Sequence, residues 1–268
     1  MRKTRWSSRP VIGLLVAAGV ASMVAFVFAP AALLGGRYGS FRQEAALRDG
    51  VSRGLVEFWQ GNGPEYPALL ARLVDYWFRW HAIKVAISAL MLIVFVLLAA
   101  ALWRGYLRSG GARALGAITA TSFATLAVGL LLLNIQATAV PLVALLPLLS
   151  GGPHSGDLTR TLHEVRDSVN RPPGPHGGPP ALPVLLGEVE RYHWVLAAAA
   201  GTVVLATALA SAILWRRRRA GSARAGFMRK ALSITLAVTA TLLLTVVAYS
   251  AYSAATPGDA LLALLGGG

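Results

Sequence analysis

Five long runs of apolar residues, nearly free of charge, constrain this chain more than anything else in it. They are Pro10–Leu34, Ile83–Trp103, Leu115–Val140, His193–Trp215 and Ala231–Ala255. A run of about 18 or more apolar residues crosses about 30 Å of hydrocarbon as a helix. In lipid every backbone N–H and C=O must be paired inside the protein, which leaves helices or closed barrels. These runs are continuous and lack the alternation of a barrel strand. The expected fold is an all-α integral membrane protein with five transmembrane helices. Composition agrees, with 13% charged residues against roughly 25% in a soluble domain.

The charge distribution predicts an orientation. Arg2, Lys3, Arg5 and Arg9 precede the first run, and Arg104, Arg108 and Arg113 join the second to the third. Arg216, Arg217, Arg218, Arg219, Arg224, Arg229 and Lys230 join the fourth to the fifth. These segments hold fourteen basic residues and no acid, so the formal net charge of +14 lies entirely within them. Lys and Arg are enriched in cytoplasmic loops. The expectation is a cytoplasmic N-terminus, an outside C-terminus, and basic loops lying against anionic inner-leaflet lipid. A nucleic-acid partner, the usual reading of such a charge in a soluble protein, is disfavoured. The first run also has the basic start and small-residue Ala29-Pro30-Ala31 of a signal peptide. Its 25 residues are long for that role, and a retained span is expected.

An internal repeat organises the rest. Arg79-Trp80-His81 opens the second run and Trp103-Arg104 closes it, while Arg191-Tyr192-His193 and Trp215-Arg216 do the same for the fourth. In each case Trp follows His by 22 positions, about 33 Å of helix. After the third run comes Pro141-LVALLPLLSGG and after the fifth Pro257-GDALLALLGGG, identical at eight of twelve positions. Upstream, Arg48-Asp49-Gly50-Val51-Ser52-Arg53 matches Arg166-Asp167-Ser168-Val169-Asn170-Arg171, and Pro67 and Pro180 each open a Pro-Ala-Leu start. Interfacial Trp and Arg and Leu-rich boxes also recur by chance, but five landmarks in one order favour duplication. The expected organisation is residues 1–34, a first repeat over 35–152 and a second over 153–268. Both copies read loop, span, span, and so are parallel repeats, not inverted ones.

The segments outside the runs read as helical. Phe41–Gln60 is broken by Gly61-Asn62-Gly63-Pro64, and a helix from about Pro67 continues into the second run. Leu158, Leu162, Val165 and Val169 form an apolar stripe at helical spacing, with Ser155 placed to cap it. Pro172-PGPHGGPP stops that helix. Leu142–Leu149 and Asp259–Leu265 are too short to span, and are expected in the outer interface or tucked back against the bundle.

Chemistry-bearing residues are sparse. Cysteine is absent, which excludes disulfides and thiolate sites. All five histidines (His81, His154, His163, His176, His193) fall on the expected outer side, without metal-ligand spacing. His81 and His193 occupy equivalent repeat positions, and with Arg79 and Arg191 they are the candidates for an outer-face binding site. The competing reading makes them interfacial anchors bonded to headgroups or to carboxylates such as Asp75 and Glu190. Asn134 and Gln136 sit near the outer end of the third run, with Ser250 and Tyr252 as counterparts, and are expected to bond between helices. Lys84 is close enough to the edge of the second run to snorkel. No phosphate loop, nucleophile elbow or dinucleotide fingerprint is present. No enzyme activity and no cofactor are expected.

Its Ala/Leu/Gly/Arg-rich composition, the absence of cysteine, the Asp259-Ala-Leu-Leu-Ala-Leu-Leu-Gly-Gly-Gly terminus and Arg191-Tyr192-His193 resemble an uncharacterised group of actinobacterial multi-pass membrane proteins. Members are often labelled as twin-arginine-signal proteins, although no Arg-Arg pair precedes the first run here. The resemblance implies a bacterial cytoplasmic membrane and no transferable activity. The expected function is a non-catalytic subunit or scaffold of the cell envelope, with a protein partner in the membrane. A transporter or channel for a neutral or lipid-like solute is the alternative, and an outer-face pH or metal sensor the third reading.

Overall fold

The computed structural model describes residues 9–151, 155–171, 178–216 and 222–266. Among these the chain is helical and contains no strand. In order the helices are α1 (Arg9–Leu34), α2 (Glu44–Gln60), α3 (Ala68–Ser109), α4 (Arg113–Ala139), α5 (Pro141–Leu145), α6 (Gly156–Asn170), α7 (Ala181–Arg216), α8 (Ala223–Ala255) and α9 (Pro257–Leu264). Short 3₁₀ turns occupy Gly39–Phe41 and Leu146–Gly151. Five helices, α1, α3, α4, α7 and α8, are long and apolar enough to cross a membrane. The 42 residues of α3 amount to about 63 Å of helical rise, roughly twice the hydrocarbon thickness. Its apolar run is therefore one section of a longer helix that starts just after Pro67.

Local chemistry sets the ends. Ser155 caps α6, its Oγ accepting from Leu158 N at 3.2 Å. Pro141 and Pro257 open α5 and α9, where a missing N–H costs nothing. The residues before them leave helical geometry in the same way, Val140 at φ −138°, ψ 73° and Thr256 at φ −125°, ψ 63°, because a following proline disfavours the α region. Between α3 and α4 the chain turns through Gly110 and Gly111, at φ 69° and 72°, a conformation that costs glycine little. The first loop helix begins at Glu44 rather than Phe41, because Gly39–Phe41 forms a 3₁₀ turn that buries the Phe41 ring.

The chain forms two compact units, each built from three segments distant in sequence. The first comprises Met1–Ala29, Ile83–Leu133 and Ala198–Val247. Here α1 meets α3 closely: a Cβ on Gly19 would lie 3.0 Å from the Phe95 ring. Lys84 Nζ sits 4.9 Å from the centre of the Phe26 ring, so this cation is held over an aromatic face. Phe95 stacks on Phe123 at 5.1 Å, and Trp103 Nε1 donates to Thr121 Oγ1 at 3.2 Å.

The second unit comprises Pro30–Ala82, Asn134–Ala197 and Ala248–Gly268. Its core joins Val51, Leu55 and Phe58 of α2 to Leu70 and Leu73 of α3, Leu158 and Val165 of α6, and Leu185 of α7. Leu142, Leu145, Leu146, Leu149 and Leu261 are buried in the same core. The two Leu-rich boxes therefore pack into protein. Helices approach closely where side chains vanish. A Cβ on Gly54 would lie 3.3 Å from Leu70 Cβ, and one on Gly258 would lie 2.9 Å from Val169 Cγ1.

Candidate functional site

The four candidate binding residues fall in two neighbourhoods of the second unit. One surrounds Arg79 and His81 on α3. Arg79 Nε pairs with Asp75 Oδ1 at 3.0 Å, one turn earlier. The Tyr38 hydroxyl also donates to Asp75, which ties the segment after α1 to α3. Tyr38 is buried, with 4% of its surface exposed. Burial pushes its phenol above the ordinary tyrosine range, and the bond to Asp75 adds to the effect. His81 Nδ1 lies 3.0 Å from Trp77 O, and its ring meets Trp77 with centres 4.8 Å apart.

The other surrounds Arg191 and His193, where α4, α7 and the end of α8 converge. Arg191 donates to Ala139 O at 2.8 Å, the last residue of α4, where a helix leaves carbonyls without intrahelical partners. It also lies 3.4 Å from Glu188 Oε1, so its carboxylate neighbour is Glu188 and not Glu190. Gln136 Nε2 donates to Tyr192 O at 3.1 Å, bridging α4 and α7. Asn134 is buried on α4, its backbone carbonyl accepting from Thr138 Oγ1 of the same helix. His193 is 7% exposed, with Tyr192 and Tyr249 rings edge-on at 5.5 and 6.3 Å. The adjoining Ser250 is completely buried, whereas Tyr252 is mostly exposed.

The structure therefore treats the equivalent histidines differently. His81 is bonded to its own helix, and His193 is enclosed between helices. His163 lies exposed on α6, where with Arg166, Leu262 and Leu265 it lines a shallow cavity of about 180 Å³. His154 and His176 lie outside the described residues, as do Arg2, Lys3, Arg5 and Arg217 to Arg219. Among the described residues no group of three His, Asp or Glu is placed to hold a metal ion. Near α7, burial and then Glu188 push the Tyr66 phenol up to about 12.

The first unit holds a different feature, a cavity of about 210 Å³ walled by α3, α4, α7 and α8. Leu92, Val96, Val128, Val203, Leu232 and Leu236 supply aliphatic walls, and Thr121, Thr125, Thr207, Thr235 and Thr239 line the remainder. Each threonine hydroxyl donates to a carbonyl of its own helix. With their protons already used, these hydroxyls present a surface close to hydrocarbon in character.

Two contacts had no local signal in the sequence. Tyr38 to Asp75 and Trp59 to Glu164 join residues far apart in the chain, and neither pair belongs to a motif. Comparison of the chain with protein-family models, curated proteins and solved structures finds no match.

Proposed function

We propose that this chain is a non-catalytic, five-span component of a bacterial cytoplasmic membrane, acting as a subunit or scaffold. The observation that carries the reading is how the second unit uses its charges. Arg48–Glu44, Arg53–Asp49, Arg79–Asp75, Arg160–Asp157 and Arg191–Glu188 are all pairs one turn apart on a single helix. Such pairs support helices and do not converge on a reacting centre. The apolar stretches of α7 and α8 are 11% and 6% buried, against 39% for α3, which leaves surface for lipid or partner helices.

The same proposal places the basic segments in the cytoplasm, the C-terminus outside, and two parallel repeats after α1. Element order supports the repeat, since α2-α3-α4-α5 is followed by α6-α7-α8-α9. So do the matching backbone breaks at Val140 and Thr256. The test is purification in nanodiscs with mass spectrometry of everything that co-purifies. A stoichiometric protein partner is expected. A preparation carrying only lipid or a small molecule overturns the reading.

One observation favours a second reading, passage or storage of a neutral, lipid-like solute: the apolar cavity among α3, α4, α7 and α8. Ala124→Leu fills it from α4. Under this reading the variant loses a co-purifying apolar molecule that the parent retains. Equal lipid content in parent and variant sinks it.

A further inference from the structure

We propose that His193 is an acid-released latch between α7 and the end of α8, with Glu190 as the group that receives it when protonated. The neutral ring is nine-tenths buried, and among the described residues its Nδ1 has no hydrogen-bond partner. Ser250 Oγ on α8 is likewise buried and unpartnered. The junction around the ring is otherwise held firmly, by Gln136 on Tyr192 O and Arg191 on Ala139 O.

A proton changes this balance. An imidazolium has two donors and a charge, and burying it without a counter-ion is strongly unfavourable. Neither facing helix offers a carboxylate: α4 has no charged residue after Arg113, and α8 none after Lys230. From α8 the Tyr249 ring meets the His193 ring edge-on, and from α4 the neutral Gln136 reaches the adjoining Tyr192 O. On α7 the groups are Tyr192, Arg191, Glu188 and Glu190. Glu188 lies beside Arg191, and Arg191, two positions before His193, is not on the ring's face of the helix. Glu190 is exposed and three residues before His193, a spacing at which helix side chains meet. The two states are a neutral ring seated against α8 and a charged ring turned outward to Glu190. His81, bonded to Trp77 O, has no such seat, so the device belongs to α7 alone.

The absence of cysteine makes a clean distance measurement available. Trp194→Cys and Tyr252→Cys replace residues 50% and 65% exposed, and both accept a spin label. The full chain in nanodiscs is measured by pulsed electron resonance at about pH 7.5 and about pH 5, either side of the ordinary imidazole range. The expected result is a longer distance population that grows on acidification. It is lost in His193→Phe and in His193→Gln, the second guarding against a variant that fails to fold. In Glu190→Gln it moves to lower pH. A parent distance unchanged at pH 5, or the same growth in both His193 variants, overturns the latch. An unmoved transition in Glu190→Gln overturns the role of Glu190.

Discussion

Trp59 and Glu164 stand 105 positions apart, yet the indole Nε1 donates to Glu164 Oε2 at 2.9 Å and joins α2 to α6. Trp59 is 4% exposed, so its N–H has this carboxylate in place of water. Trp59→Phe keeps most of the packing and removes the donor. The expected loss is about 1 kcal/mol of stability, read as a lower midpoint in detergent-based unfolding. Glu164→Gln, which keeps an acceptor oxygen, is expected to lose less than Glu164→Ala.

Arg191 covers the carbonyl end of α4, where the helix dipole is negative. Arg191→Ala removes both the cap on Ala139 O and the pair with Glu188. A cost of about 1 kcal/mol is expected, with faster hydrogen exchange confined to the last turn of α4 and the facing turn of α7. Arg191→Lys, a point charge in place of a fork, recovers part of it. Uniform exchange across both helices in the Ala variant contradicts the capping role.

Much of this is legible in the sequence itself. The five apolar runs appear as five helices, because hydrophobic length is written directly in composition. Ser155 and the stripe of Leu158, Leu162, Val165 and Val169 mark α6, since capping and helical period are local signals. Thr161 was not legible: it is buried beside that stripe, and a polar residue gives no sign of burial. The same holds for Tyr38, whose partner Asp75 is 37 positions away. What a helix is can be read from neighbours in sequence. What it touches depends on tertiary proximity, which a single sequence does not record.

The close fit of α1 on α3 makes Gly19 a sensitive position. A Cβ there already approaches the Phe95 ring at 3.0 Å. Gly19→Ala is expected to be tolerated with a small shift of the ring. Gly19→Leu overpacks the contact at a cost of about 1–3 kcal/mol, measured as a lower melting temperature in nanodiscs. Equal melting of the Leu variant and the parent indicates that α1 does not sit on α3.

Tyr38 gives an alkaline signature. Its phenol is raised in the folded state by burial and by the bond to Asp75. Its contribution is therefore fully present below the free tyrosine value of about 10. It is lost as pH rises through the higher folded value, when the buried phenol must ionise beside a carboxylate. Tyr38→Phe is expected to lower stability at neutral pH and to flatten the fall above about pH 10. An identical alkaline profile in the Phe variant assigns that fall to other groups.

The threonines around the four-helix cavity bear on how the chain is made. Each hydroxyl is returned to its own backbone, so none depends on a neighbouring helix to hide its polarity. The cavity threonines of α8 therefore need no α4 in place for their hydroxyls to sit in an apolar medium. That is compatible with helices that insert singly and assemble laterally afterwards. For these threonines, then, assembly has only packing to satisfy, as where Gly19 meets Phe95.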